Sequence, residues 1–336
     1  MNILAIETSC DDTAIALVQI KNKKFKVLSN IISSQVEIHK KWGGVFPSLA
    51  KREHIKNLPI VLKKTYRGQA SIDFVAVTVG PGLEPCLWTG INFAKDLAKK
   101  LNVPIIPINH IEAHILVNFI EKKPKLPAIA LVVSGGHTQL ILVKEIGKYK
   151  ILGQTRDDAA GECFDKTARI LGLGYPGGPA IAAEAKGLGP SSPLKLPRPM
   201  MHTNDYDFSF SGLKTAVLYN FRNQSKKIQK SKKYIQEMAL EIQQAVIDVL
   251  IKKTVKATKD YNAKTIILGG GVSANKELRR QFKKSFRNVI FPDKKFSTDN
   301  AVMTAVAGYY NLGKKTKNYN KIKAKANLRI TQNVLK

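Results

Sequence analysis

Two stretches of this chain open in the same way, and that repetition is the tightest constraint on what it can fold into. Residues 3–6 are a short apolar run, residues 7–12 a polar turn, and residues 13–20 a second apolar run. Residues 128–133, the turn Ser134-Gly135-Gly136 and residues 138–144 repeat the scheme. Short apolar runs bounded by turn residues read as buried strands, so each half begins with a strand pair. After the first pair come a third strand at 25–32 and a helix at 48–64 with Leu49, Ile55, Leu58 and Leu62 on one side. A strand at 74–79, the turn Gly80-Pro81-Gly82, a helix at 89–101 and a strand at 104–108 then make a parallel crossover. In the second half, helices are expected at 162–171, 179–185 and 233–259. A strand at 264–268 follows, running into Gly269-Gly270-Gly271 and a helix from about Asn275. Two α/β halves of this kind predict a duplicated, two-lobed fold with a cleft between the lobes.

With 336 residues and 44% apolar residues, the chain has material for two cores. The expected division is an N-terminal lobe at 1–126, a C-terminal lobe with helical insertions at 127–312, and a basic tail at 313–336. That tail is Lys-rich and weakly patterned, which predicts mobility. Glu7, Asp11 and Asp12 stand where a secretory signal needs an apolar core, and no run approaches the roughly 18 apolar residues of a membrane span. No membrane association is therefore expected. Cys10, Cys86 and Cys163 are too far apart for a thiolate motif, and with the other features they predict a cytoplasmic protein. The 55 Lys+Arg against 25 Asp+Glu leave a charge of +30, a field that attracts polyanions. Only ten of those cations are Arg and 45 are Lys, so a compositional bias explains the excess as readily as a binding surface does.

His110 and His114 lie four residues apart, one turn of a helix, directly after an expected strand. One metal ion can bridge such a pair. Glu112 falls on another face of that helix, unlike the H-E-x-x-H arrangement in which the Glu activates water. Asp299, just before a helix of small residues at 301–310, either caps that helix or supplies a third ligand. Two imidazoles and a carboxylate suit one divalent ion, Fe(II) or Zn(II), and the spacing does not choose between them. The three glycine turns each follow a strand and could present backbone N–H groups to phosphate, although glycine also serves tight turns without a ligand. Glu7 to Asp12 adds hydroxyls and carboxylates to a strand-linking turn.

Taken in order, Glu7-Thr8-Ser9-Cys10-Asp11-Asp12-Thr13, the His110/His114 pair, Val132-Val133-Ser134-Gly135-Gly136-His137-Thr138, Gly161-Glu162-Cys163-Phe164-Asp165-Lys166, Tyr175-Pro176-Gly177-Gly178-Pro179, Phe208-Ser209-Phe210-Ser211-Gly212-Leu213-Lys214, Gly269-Gly270-Gly271-Val272-Ser273-Ala274-Asn275 and Ser297-Thr298-Asp299-Asn300 closely resemble the TsaD/Gcp (Kae1) family. The resemblance runs from residue 2 to about 312. It implies an actin-like α/β fold and transfer of threonylcarbamoyl from threonylcarbamoyl-AMP to N6 of adenosine 37 in tRNAs reading codons that begin with A. Carried over, it makes His110, His114 and Asp299 the metal ligands. Val132, Val133, Ser134, Gly135, Gly136, Asp165, Gly178 and Asn275 become the adenylate-binding set, and Asp11 a catalytic carboxylate near the reacting group. It also implies a TsaB-like inactive paralogue and a TsaE-like small ATPase as partners. Three other readings stay open at this point: a metallopeptidase, an ATP-dependent small-molecule kinase of the same superfamily, and an inactive partner subunit.

Overall fold

The computed structural model describes residues 1–188 and 192–335. Packing divides the chain into two α/β units, one made of Met1–Lys123, Ile146–Lys148 and Pro292–Lys336, the other of Pro124–Glu145 and Tyr149–Phe291. The first contains β1 (Asn2–Glu7), β2 (Asp12–Lys21), β3 (Lys24–Ser34), α1 (Val36–Lys40), α2 (Pro47–Thr65), β4 (Phe74–Gly80), α3 (Glu84–Leu101), β5 (Ile105–Asn109) and α4 (His110–Leu116). Its sheet has the order β3-β2-β1-β4-β5, with β1 antiparallel to β2 and parallel to β4, and β4 parallel to β5.

The second unit contains β6 (Ala128–Val133), β7 (Thr138–Glu145), β8 (Lys148–Gln154), α5 (Ala160–Ile170), α6 (Gly177–Glu184), α7 (Ser211–Arg222), α8 (Lys226–Gln229), α9 (Lys232–Asp260), β9 (Thr265–Gly269), α10 (Lys276–Ser285) and β10 (Val289–Ile290). Its sheet order, β10-β9-β6-β7-β8, is that of the first unit read from the other edge. β6 pairs antiparallel with β7 and parallel with β9, as β1 does with β2 and β4. The duplication expected from the two strand pairs is therefore present strand for strand. Both β1 and β6 are central and buried at all six positions, which is why residues 3–6 of β1 and the whole of β6 read as apolar runs rather than as alternations. β3, at an edge, has no buried residue: its centre is half-buried and its ends alternate between exposed and half-buried.

In the first unit, Leu4 and Ile6 point into a core shared with Leu58 and Val61 of α2 and Leu87 and Ile91 of α3. The opposite face takes a further helix, α11 (Ala301–Tyr310). It is built of small residues because it lies close against the sheet: a Cβ added to Gly308 would stand 3.1 Å from the Cβ of Ala76. This moves a boundary. Residues 292–312, expected in the second lobe, pack with the first unit. The last segment, expected to be mobile, buries Ile322, Leu328 and Val334 in the first unit's core. Its lysines hid a wide-spaced apolar pattern. Removing residues 313–336 is expected to lower the thermal midpoint by on the order of 10 °C or more, since three buried side chains at about 1.5–3 kcal/mol each leave the core. A melting curve unchanged by the truncation would show the segment to be dispensable.

That same segment overturns the phosphate reading of Gly80-Pro81-Gly82. The N–H of Gly82 donates to the Ala326 carbonyl at 3.1 Å, and a Cβ on Gly80 would fall 2.0 Å from the Lys325 oxygen. The turn is glycine-rich because the returning chain lies against it. Five elements were not anticipated from the sequence: β8 and α7, and the short α1, α8 and β10. The helix expected at 89–101 starts earlier, at Glu84, with Pro85 in its first turn, where a missing N–H costs nothing.

Candidate metal centre and glycine turns

His110 is the first residue of α4 because Asn109, at the end of β5, caps the helix: its Oδ1 accepts from the N–H of Ile111 at 2.9 Å and of Glu112 at 3.1 Å. One turn on, His114 lies beside it, the ring centroids 4.6 Å apart and nearly perpendicular. Asp299 comes from the other end of the chain. The choice between capping and ligation is made by its neighbour, since Asn300 caps α11 by accepting from Met303 N at 3.1 Å. The Asp299 carboxylate turns instead to the imidazoles, with Oδ1 3.1 Å from His114 Nε2 and 3.6 Å from His110 Nε2. One donor atom from each of the three lies within 4.8 Å of the others. Glu112 is elsewhere, accepting from Asn311 Nδ2 at 3.0 Å.

A residue read from the sequence only as part of a polar turn orients this group. Glu7 is fully buried at the end of β1, and its Oε2 lies 3.3 Å from His110 Nδ1. Thr78 Oγ1 donates to the same oxygen at 2.5 Å and the N–H of Ser9 to Oε1 at 2.7 Å. A carboxylate on Nδ1 leaves Nε2 of His110 for a metal, the arrangement by which outer carboxylates fix a ligating imidazole. Burial pushes His110 down, but the Asp299 and Glu7 carboxylates override it and raise the imidazole to about 9. Burial likewise pushes Glu7 up, and the adjacent His110 more than offsets this, leaving Glu7 below its ordinary value. His114 goes the other way: burial holds it below its usual range, in the neutral form that ligates. Its Nδ1 is buried without a hydrogen-bond partner among the described residues. The site thus favours positive charge and offers two imidazoles and one carboxylate, a donor set that fits a divalent ion.

Asp11 and Asp12 follow Glu7 in the β1–β2 turn. Burial raises Asp11, and the Asp299 charge adds to it. Burial raises Asp12 to about 7, with Asp11 and Asp299 adding to the effect. Unfolded, such a carboxyl titrates near 3.9. A folded value above the unfolded one stabilises the protein fully below the unfolded pKa, and this contribution is lost as pH rises through about 7. In chelator-treated protein, Asp12→Asn is therefore expected to melt higher than wild type at pH 8, with the difference closing toward pH 5. Parallel melting curves across that range would contradict the assignment.

In the second unit, Val132 and Val133 end β6 with their side chains in the core, so their backbone is what faces the turn that follows. Ser134 ties the turn, its Oγ accepting from His137 N at 3.1 Å. Gly135 and Gly136 are exposed, and a Cβ on either would meet nothing within 4 Å. Two neighbouring glycines are under constraint instead. A Cβ on Gly161 would lie 2.5 Å from the Ser134 oxygen, and one on Gly270 would lie 2.3 Å from the Val133 oxygen. Asp165 of α5 accepts from the N–H of Gly177 at 2.6 Å, which brings the start of α6, with Gly178, alongside. Asn275 caps α10 through Leu278 N and donates to Gln243 Oε1 at 2.8 Å. Gly161 at the start of α5 and Gly270 at the end of β9 are thus the positions packed against the end of β6 and its turn.

The family model described as TsaD, tRNA N6-adenosine threonylcarbamoyltransferase, matches residues 26–306. The chain belongs to this family. It is 47% identical to the tRNA N6-adenosine threonylcarbamoyltransferase of Thermosipho africanus, over 98% of the chain and all of that protein. With the enzyme of the same name from Clostridioides difficile it shares 46% identity over 98% of each chain. The Bacillus subtilis protein is 44% identical over 92% of this chain and 90% of its own. Membership favours the acyltransferase reading over the peptidase and kinase alternatives. Among solved structures, the (R)-2-hydroxyglutaryl-CoA dehydratase component A of Acidaminococcus fermentans aligns at TM-score 0.55 and 11% identity, covering 96% of this family member and 98% of its own chain. Full-length HypF aligns at 0.57 and 13%, covering 91% and 46% respectively. These likenesses carry the fold alone, the duplicated actin-like α/β class read from the sequence. No helix among the described residues is long and apolar enough to cross a membrane.

Proposed function

We propose that this chain transfers a threonylcarbamoyl group from threonylcarbamoyl-AMP to N6 of adenosine 37 in tRNAs reading codons that begin with A. The observation that carries the reading is the convergence of His110, His114 and Asp299 in a chain of this family. These three side chains would hold one divalent ion, Fe(II) by preference over Zn(II), and a bound ion supplies Lewis-acid polarisation of an acyl oxygen. Glu7 keeps His110 in the ligating orientation.

The donor is a mixed anhydride, so AMP is a good leaving group and the weakly nucleophilic N6 amine chiefly needs placement and a proton acceptor. N6 attacks the carbamoyl carbon, the bond from that carbon to the phosphate oxygen breaks, and N6 gives up a proton. Asp11, its carboxyl raised by burial, is the acceptor we assign to that proton. The backbone of Val132 and Val133, the turn Ser134-Gly135-Gly136, and Asp165, Gly178 and Asn275 form the adenylate-binding set. Backbone N–H groups at an open glycine turn suit phosphate, and a carboxylate suits ribose hydroxyls. The inferred location is the cytoplasm, where tRNA and ATP are found. Inferred partners are a TsaB-like inactive paralogue and a TsaE-like small ATPase.

The test is reconstitution with those partners, a threonylcarbamoyl-adenylate synthase, threonine, bicarbonate, ATP and tRNA, followed by nucleoside mass analysis. Threonylcarbamoyladenosine at position 37 is the expected product, and its absence under conditions that support a homologous enzyme would refute the reading.

A further inference from the structure

The segment joining β3 to α2 leaves a large aromatic surface in water. Trp42 is 66% and Phe46 54% exposed, and their rings stack with centroids 5.9 Å apart and 28° between planes. Aromatic side chains ordinarily bury most of their area, so a stacked exposed pair calls for a partner. The pair is held in place by a chain of hydrogen bonds. The N–H of Phe46 donates to His39 Nδ1 at 3.3 Å, the buried His39 ring meets Gln35 Oε1 through Nε2 at 3.1 Å, and Gln35 N donates to the Asp11 carbonyl at 3.1 Å. Three links thus tie the aromatic pair to the residue proposed as proton acceptor, which in turn feels the Asp299 charge.

The surroundings are cationic. Lys40 and Lys41 directly precede Trp42 in the chain and Lys51 and Arg52 follow Phe46 in α2, all four exposed, against Glu37, which lies 3.7 Å from Lys40, and a half-buried Glu53. Exposed aromatic rings among cations are the arrangement with which proteins hold unpaired nucleic acid: the rings stack on bases and the cations follow the phosphates. Ile55 and Ile60 of α2 are also exposed, so it is the cations that favour a nucleic acid over a protein partner. We propose that Trp42 and Phe46 are a stacking platform for an unpaired base of the tRNA loop that carries the target adenosine, an inference that rests on the tRNA-modifying reading above.

In a Trp88→Phe background Trp42 is the sole tryptophan, and titration with an anticodon stem-loop RNA is expected to quench its emission. A base-paired RNA of equal length, without a loop, should quench it far less. Trp42→Ala is expected to raise KM for tRNA about tenfold, in line with the loss of one base stacked on an aromatic ring, with kcat at saturating tRNA largely kept. Trp42→Phe should restore most of the affinity, and Phe46→Ala should show a smaller KM defect in a protein that still melts like wild type. Unchanged KM together with unquenched emission overturns the platform. So does a Trp42→Ala defect that vanishes when the protein partners are raised to excess, which would make this a protein-docking surface. Wild type that forms no threonylcarbamoyladenosine defeats the parent reading; active wild type with an unaltered Trp42→Ala defeats only this one.

Discussion

Replacing His110 by alanine is expected to cut threonylcarbamoyladenosine formation at least about a hundredfold and to strip the chain of its bound metal, while leaving the fold in place. Lewis-acid stabilisation is worth several kcal/mol, and each 1.36 kcal/mol is about a factor of ten in rate. Asp299→Ala should do the same, because its carboxylate is the only donor of the three that brings negative charge, and α11 keeps its cap on Asn300. Glu7→Gln is the graded control. It keeps a hydrogen-bond acceptor near His110 Nδ1 but removes the charge, so metal affinity should fall by about 10–100-fold, the usual cost of losing a partner behind a ligand. Metal content by elemental analysis and turnover by nucleoside analysis should fall together in the three variants. Full activity in metal-free His110→Ala would take the ion out of the reaction.

Gly270→Ala is expected to be strongly destabilising for a single-methyl change in the second unit. Gly270 sits at φ 84°, ψ 161°, a region open to glycine almost alone. There is also no room, since the new Cβ would fall 2.3 Å from the Val133 carbonyl oxygen. Strain of about 1–3 kcal/mol is compounded by displacement of a central strand, so the thermal midpoint should fall by roughly 10 °C. Gly135→Ala is the opposite case: its Cβ meets nothing, so stability should hold. If that turn's N–H groups cradle phosphate, donor KM should nonetheless rise for Gly135→Ala, because a methyl group then stands where the anion approaches. A Gly135→Ala enzyme with wild-type stability and wild-type donor KM would remove the turn from the adenylate-binding set.

Much of the fold could be read from the chain because its two central strands are buried on both faces. Residues 3–6 of β1 and the whole of β6 are apolar runs next to polar turns, so the duplication stands out in the residue pattern. The His110/His114 pair was equally legible, since its spacing matches one turn of a helix and it follows a strand directly. Glu7 was not, because nothing in its local sequence separates a buried carboxylate serving an imidazole 103 residues away from an ordinary turn residue. The C-terminal segment misled for a related reason: Ile322, Leu328 and Val334 are too widely spaced to give a period, and the lysines between them suggested solvent.

By itself, then, the sequence determined what depends on near neighbours. Strand pairs, the helix that puts two imidazoles on one face, the glycines and the family all follow from order and spacing. Only the tertiary structure decided which distant groups meet: Asp299 with the histidines, Glu7 behind His110, and the C-terminal chain in the Gly80-Pro81-Gly82 turn. The physical reason is that local steric and hydrogen-bonding preferences act over a few residues. The choice between Asp299 as cap and Asp299 as ligand rests on side chains that come together only when α11 packs against the first sheet.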